Sequence, residues 1–380
     1  MRRWLLIAAM SASIGCSASV VSGATTGALA GPSTSTATPL SATSSTAPNP
    51  TDSSTTTVVP NTVVPTTLPP ATGQGWLVAN DTGLWSVDAA GRSTRLVAGR
   101  VATVAVSADG TIFFQRHTLE DRSESIHAPD TRILTLDRST GTTRDWVVPE
   151  SRSDAFDGAL HLEGVVVIAG RSEVLLRRAV FDPTREYEAQ RFDMLVRRDV
   201  LADSETTLGG VAGWEFEATH ISYGGNTFVA STVSEGSVGG LFLDASGARV
   251  NERFASLIAL NDCTFGGPHC PTALAISTNG QRLAWIEAAD DGHGPNSEQH
   301  QQLVVADVAS GKHLATIALA VGAAETTLAF AKDGRIVMTR VSYGDSPDAP
   351  RVATAFVVDV QRATLSPLPV AGHAIPDVTR

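Results

Sequence analysis

Positive charge is scarce in this 380-residue chain: 28 Lys and Arg stand against 39 Asp and Glu, a formal net charge of -11, and lysine occurs only at Lys312 and Lys332. A surface that displaces counterions from phosphates needs clustered cations, so nucleic acid is not an expected partner. Catalytic signatures are missing too. The chain has no Gly-x-Ser-x-Gly elbow, no His-Glu-x-x-His helix and no Gly-Lys-Ser/Thr phosphate loop. We therefore assign no catalytic residue, no metal ligand and no cofactor. Stretches with a convincing helical stripe are also lacking, which removes support for a helical bundle. Cysteine is limited to Cys16, Cys263 and Cys270.

What is present begins with an address. Arg2 and Arg3 precede the apolar run Trp4–Met10, which is too short to span a bilayer and suits a secretory signal. Ser13-Ile14-Gly15-Cys16 resembles a bacterial lipobox, in which a small residue precedes a cysteine that is lipidated and becomes the new N-terminus; here Ser13 stands where Leu, Val or Ile is usual. The resemblance implies lipidation at Cys16 and a membrane tether. Ordinary signal-peptidase cleavage, with Ala28-Leu29-Ala30 as the tidiest site, stays open and would give a secreted protein. We read residues 1–16 as the signal and 17–73 as a linker rich in Ser, Thr, Pro, Ala and Gly. Such a composition cannot offset its ordering entropy by burial, so disorder is expected, with a reach of roughly 40 Å as a flexible coil.

Residues 74–380 form the expected folded domain, and from Trp76 onward short alternating apolar runs are separated by turn dipeptides. That pattern predicts an all-β fold. Two turn motifs recur in order. An apolar run leads into Ser107-Ala108-Asp109-Gly110, Ser277-Thr278-Asn279-Gly280 and Ala331-Lys332-Asp333-Gly334, each followed by another apolar run. Asn-Gly and Asp-Gly are strong hairpin signals because these residues tolerate positive φ. A strand closed by Asp then precedes a glycine turn at Asp137 to Gly141 and Asp307 to Gly311, and a like strand ends in Asp359; relatives occur at Asp88 to Gly91 and Asp244 to Gly247. Two hairpins in succession make one four-stranded unit. The repeat length is about fifty residues, that of a propeller blade.

Six units follow, at about 76–98, 101–150, 155–210, 214–255, 272–320 and 325–369. The first lacks an inner strand, which the tail Ala371–Val378 can supply, so both termini are expected to close the ring. Ser-x-Asp-Gly before an apolar strand, then a strand ending in Asp, resembles the TolB-like six-bladed β-propeller family. The match is clear in the second, fifth and sixth units, loose in the first and fourth, and poor in the third. These motifs imply blade geometry and not an activity.

Candidate sites are few. In an exported protein Cys263 and Cys270 are expected to form a disulfide closing a small loop, either as a staple or to stiffen a ligand-facing loop carrying Phe265 and His269. A zinc site from Cys263, His269 and Cys270 has no fourth ligand nearby. The polar insertion Asp290–His300 departs from EF-hand spacing and reads as a solvated loop, with a counterpart at Leu119–His127 on the same rim. Trp76, Trp85, Trp146, Trp214 and Trp285 read as wedges between blades. Arg171, Arg177, Arg178, Arg185, Arg191, Arg197 and Arg198 read as the solvent side of two strands.

These readings make the domain a binding or scaffolding module of the cell envelope, with a small ligand or an envelope protein as its unidentified partner and the ligand held at the mouth of the central channel. A propeller enzyme of the metal-dependent lactonase or lyase kind, with axial carboxylates and histidines drawn from several blades, is the alternative. A structural element of an envelope complex is a third reading and would need a sizeable exposed apolar patch.

Overall fold

A computed structural model describes residues 75–117, 131–147, 159–181, 184, 191–202, 204–208, 217–234, 237–258, 263–264, 271–288, 301–319, 325–342 and 352–378. All of them lie in the part of the chain that runs from residue 65 to 380. None forms a helix long and apolar enough to cross a membrane.

The described strands make six antiparallel sheets of four. The first contains β1 (Gly75–Asn80), β2 (Gly83–Val87) and β3 (Ser93–Ala98). The second contains β4 (Thr103–Val106), β5 (Ile112–Gln115), β6 (Ile133–Asp137) and β7 (Thr142–Val147). The third contains β8 (Leu160–Ile168), β9 (Arg171–Phe181), β10 (Arg191–Asp199) and β11 (Glu205–Thr207). The fourth contains β12 (Glu217–Gly224), β13 (Thr227–Ser234), β14 (Ser237–Asp244) and β15 (Cys263–Thr264). The fifth contains β16 (Ala273–Ile276), β17 (Arg282–Ala288), β18 (Gln301–Asp307) and β19 (His313–Leu319). The sixth contains β20 (Glu325–Phe330), β21 (Ile336–Ser342), β22 (Val352–Asp359) and β23 (Thr364–Pro367). The last strand, β24 (His373–Asp377), pairs with β1, Leu77 opposite Ile375, and so becomes the innermost strand of the first sheet. The expected closure by both ends of the domain is present.

Burial shows why the sheets stand side by side. Six apolar clusters each join two consecutive sheets: Leu77 and Leu84 with Val104 and Phe114, Phe113 with Leu162 and Leu176, and Leu175 with Phe228, for example. Three more join Phe242 to Trp285, Leu303 to Met338, and Val337 to Trp76. Alternation along each strand supplies one apolar face to each neighbour. Trp76 and Trp285 are buried in clusters that join two sheets, and Trp85 and Trp146 pack against such clusters, so these tryptophans wedge between sheets as expected. Trp214 lies outside the described residues.

Strand direction fixes two different ends. Turns from first to second strand and from third to fourth emerge at one end of every sheet; connections from second to third strand and from sheet to sheet emerge at the other. We call them the turn end and the connection end. At the turn end, Gly110, Gly280 and Gly334 adopt φ of 94°, 70° and 84°. Their Asp or Asn neighbours do not enter the left-handed region, contrary to the sequence expectation. Instead the side-chain oxygens of Asp109, Asn279 and Asp333 accept the N–H groups of Thr111, Gln281 and Arg335 at 3.1, 3.1 and 3.0 Å. Paired left-handed residues do occur at Ala169-Gly170 (φ 49° and 81°) and Gly225-Asn226 (55° and 64°), in the third and fourth sheets, whose first turns lack the motif. Gly224 is fixed by a close approach of the fourth and fifth sheets: a Cβ there would lie 1.9 Å from the Ser277 carbonyl oxygen.

Two other expectations change. The fourth unit does not end near residue 255; Val250–Ile258 make a short helical turn, Asn251–Arg253, whose followers Phe254, Leu257 and Ile258 pack into the junction with the fifth sheet. The outer strand comes later, with Cys263 opposite Val238. The third unit, poor in motif, nevertheless closes its third strand with an aspartate, Asp199, which accepts the N–H groups of Leu201 and Ala202 at 2.8 and 2.9 Å.

A candidate ligand-facing rim at the connection end

Each second strand carries a polar side chain toward the connection end: Asn80, Gln115, Arg177, Ser231, Glu287 and Arg340. Apolar alternation places these positions in the junctions between sheets, so most are covered; Gln115 and Ser231 are 0% exposed and Glu287 2%. A buried polar group is costly unless hydrogen-bonded, so each needs an explanation.

Gln115 is fully used by the scaffold. Its amide nitrogen donates to the carbonyls of Thr131 and Leu160, both at 2.8 Å, and its oxygen accepts the Leu162 N–H at 2.6 Å. It ties the second sheet to the innermost strand of the third. Thr339 does the same for the closing strand, accepting the Ala374 N–H at 3.0 Å.

In the third sheet a bulge between Leu162 and Gly164 gives β8 an extra residue, Glu163. Bulges re-aim side chains, and here Glu163 Oε1 accepts from Arg177 Nε at 3.0 Å and lies 3.0 Å from His161 Nδ1. His161, Glu163 and Arg177 are 12%, 3% and 11% exposed at their side chains. A carboxylate beside an imidazole can orient a base or share a metal, yet the Arg177 charge already neutralises Glu163 and repels a cation at that place. The cluster therefore reads as a positioned ion pair.

The fifth sheet places Glu287 between two neutral donors, Trp285 Nε1 at 2.7 Å and Gln302 Nε2 at 2.9 Å. In the sixth, Arg340 Nη2 donates to Gln301 Oε1 at 3.3 Å across the junction with the fifth sheet. Burial pulls the Arg340 guanidinium below its ordinary pKa. Among the described residues no group of three or more His, Cys, Asp or Glu is placed to hold a metal ion.

Of the arginines of the third unit read as a solvent side, Arg171 is exposed as expected, with 74% of its side chain open to solvent, whereas Arg177, Arg197 and Arg198 are not, and the side chains of Arg185 and Arg191 lie outside the described residues. Besides Arg177, Arg197 meets Glu173 at 3.2 Å and Arg198 meets Glu205 at 3.1 Å, with arginine side chains only 12% and 18% exposed. Carboxylates on the same sheet pair with them, Glu173 from the second strand and Glu205 from the outer one. Cys16, Phe265, His269, Cys270, Asp290–His300 and Leu119–His127 lie outside the described residues, as does the side chain of Cys263. The insertions at 118–130 and 289–300 are flanked by β5 and β6 and by β17 and β18, so both leave the fold at the connection end.

Sequence reading missed Glu163, Glu287 and Arg340. Two of them carried a signal: in Ala284-Trp285-Ile286-Glu287 and Val337-Met338-Thr339-Arg340-Val341 a charge stands in an apolar strand that is otherwise buried.

No protein-family model and no curated protein matches the chain. Solved structures do. TolB from Acinetobacter baumannii aligns with a TM-score of 0.50 at 11% identity over 79% of this chain, which spans 64% of the length of that protein. A TolB candidate from Agrobacterium tumefaciens aligns with a TM-score of 0.47 at 11% identity, covering 79% of this chain and 90% of that one. Oligogalacturonate lyase from Vibrio parahaemolyticus gives 0.45 at 11%, covering 78% and 74%. Identities this low carry architecture and not activity. The likeness to the Acinetobacter protein, together with six four-stranded sheets closed by β24, shows that the described residues form a TolB-like six-bladed β-propeller.

Proposed function

We propose that the protein is an exported, envelope-tethered binding module whose propeller presents its connection end to a ligand or partner protein. The observation that carries this reading is the contrast between the ends. The turn end is closed mostly by short turns in which an Asp or Asn side chain accepts backbone N–H groups, with the β14–β15 connection as the long exception, whereas the connection end receives most of the long connections and a different polar group from nearly every sheet. Propellers bind where connecting segments meet around the axis. The N-terminal basic and apolar run, Cys16 and the Ser/Thr/Pro linker support export and tethering by sequence alone.

Site-specific photo-cross-linking in envelopes tests this reading. A photoreactive residue in place of the exposed Asp81, in the β1–β2 turn at the connection end, is expected to capture a partner; one in place of the exposed Ala90, at the turn end, is not. Adducts from Ala90 alone would refute the assignment of the ligand face. Cytosolic accumulation of the full chain would refute the export reading, and globomycin-insensitive processing would refute lipidation at Cys16.

A further inference from the structure

Among the described residues, several arginines largely withdrawn from solvent face a carboxylate: Arg138 meets Asp377 at 2.8 Å, Arg177 meets Glu163 at 3.0 Å, Arg197 meets Glu173 at 3.2 Å and Arg198 meets Glu205 at 3.1 Å. Arg340 is the exception. It is 9% exposed, and its only hydrogen bond among the described residues goes to the neutral Gln301 amide; what sets it apart is the missing carboxylate, since a buried Nε without an acceptor is shared with Arg138 and Arg197.

Arg340 sits two residues before the end of β21, opposite Thr326 on β20 and Thr354 on β22. Gln301 opens β18 across the junction. The guanidinium thus lies at the connection end between the fifth and sixth sheets, among hydroxyl and amide groups. An isolated buried cation is unfavourable, and an apolar side chain of similar length would fill the same space without that cost. What a guanidinium adds is a planar fork that matches a two-oxygen anion.

We propose that Arg340, supported by Gln301, is an anion-recognition point of the connection end and that the ligand it takes carries a carboxylate. One guanidinium beside neutral groups, in a chain of net charge -11, balances a single negative charge better than a phosphate dianion. This inference rests on reading the connection end as the ligand face. A sugar acid and a peptide C-terminus share the required chemistry.

The test is calorimetric titration of the full-length protein at low ionic strength with D-glucuronate, N-acetyl-L-alanine and inorganic phosphate, on the unsubstituted chain, Arg340→Lys and Arg340→Met. The unsubstituted protein is expected to bind one carboxylate more tightly than phosphate, and the better carboxylate identifies the source. Arg340→Met should weaken that binding by about tenfold or more, and Arg340→Lys by less, because a point charge replaces a fork. Arg340→Met should also unfold at a urea concentration equal to or above that of the unsubstituted protein, so that lost binding is not lost folding. Equal binding by Arg340→Met, a preference for phosphate, or no carboxylate binding overturns the proposal. Cross-linking at Asp81 without carboxylate binding would leave the binding-module reading standing and remove this one.

Discussion

The turn end and the connection end of the propeller are built from the same strands, yet their polar residues behave differently. At the turn end six aspartates, Asp88, Asp137, Asp199, Asp244, Asp307 and Asp359, occupy equivalent places after the third strands and fold back on their own backbones, as when Asp137 accepts the Ser139 N–H at 2.8 Å and Asp307 the Ser310 N–H at 2.8 Å. At the connection end the polar side chains of the second strands act differently from sheet to sheet. Gln115 stitches two sheets, Arg177 holds Glu163, Glu287 receives the Trp285 indole, and Arg340 meets an amide and, among the described residues, no carboxylate. Repetition marks scaffold, and departure from repetition marks where selection for something other than folding can act.

One contact at the turn end breaks that rule and should give the largest effect. Arg138 donates twice to Asp377, at 2.8 Å to each oxygen, pinning the closing strand of the first sheet to the second. Asp377 is 0% exposed. Replacing it with Ala strands the Arg138 charge, and the expected loss is about 3–5 kcal/mol in urea unfolding. A loss below about 1 kcal/mol would show that the pair does not hold the closure. Next in size is Glu287→Ala at the connection end, which leaves the buried Trp285 N–H without its acceptor. It should cost about 1–3 kcal/mol and change tryptophan fluorescence, with Glu287→Gln recovering part of both. An unaltered unfolding midpoint in Glu287→Ala would mean that this rim is not part of the cooperative core.

The two ends also differed in how much the sequence revealed. Strand alternation, the Asp-Gly and Asn-Gly turns and five of the six strand-closing aspartates were legible, because each acts on residues within a few positions of itself. Asp199 was hidden because Asp199-Val200-Leu201-Ala202 lacks the glycine that marks most of its counterparts. The Ala169-Gly170 turn was hidden for a related reason, since alanine does not announce a left-handed conformation. The connection end was much less legible. Glu163 and Arg177 are fourteen residues apart in the chain and meet only because a bulge shifts β8 against β9, while Arg340 and Gln301 belong to different sheets. Arg197 and Arg198 looked like part of a solvent face because their partners Glu173 and Glu205 are visible only once strand register is known.

Acid sharpens the comparison with a smaller effect. Ser139, Ser246 and Ser310 hydroxyls hold the carboxyls of Asp137, Asp244 and Asp307 below the usual range, and backbone N–H groups do so chiefly for Asp88 and Asp199. A carboxyl with a folded pKa below its unfolded value of about 3.9 contributes stability above that value and loses it as pH falls through the folded pKa. The urea midpoint should therefore hold from neutrality to about pH 5 and fall below about pH 4. Asn at both 137 and 307 removes two titrating groups but keeps two acceptors, so its midpoint should fall less steeply. An equally steep fall would assign acid sensitivity to other groups, such as the ion pairs of the third sheet.

The smallest expected effect isolates a single backbone angle. Ala169 has φ 49° in the β8–β9 turn, where a Cβ meets the following carbonyl oxygen. Glycine removes that strain, on the order of 1 kcal/mol, but also gives the unfolded chain more freedom, which takes back about half. Ala169→Gly should therefore stabilise by about 0.5 kcal/mol, a modest rise in urea midpoint at unchanged slope. The same substitution at Ala102, a described position without positive φ, should destabilise instead, because only the entropic term remains. Opposite signs at the two sites would show that the third sheet solves the turn problem by tolerating strain where its neighbours use glycine. Equal signs would mean that the turn is not left-handed at Ala169.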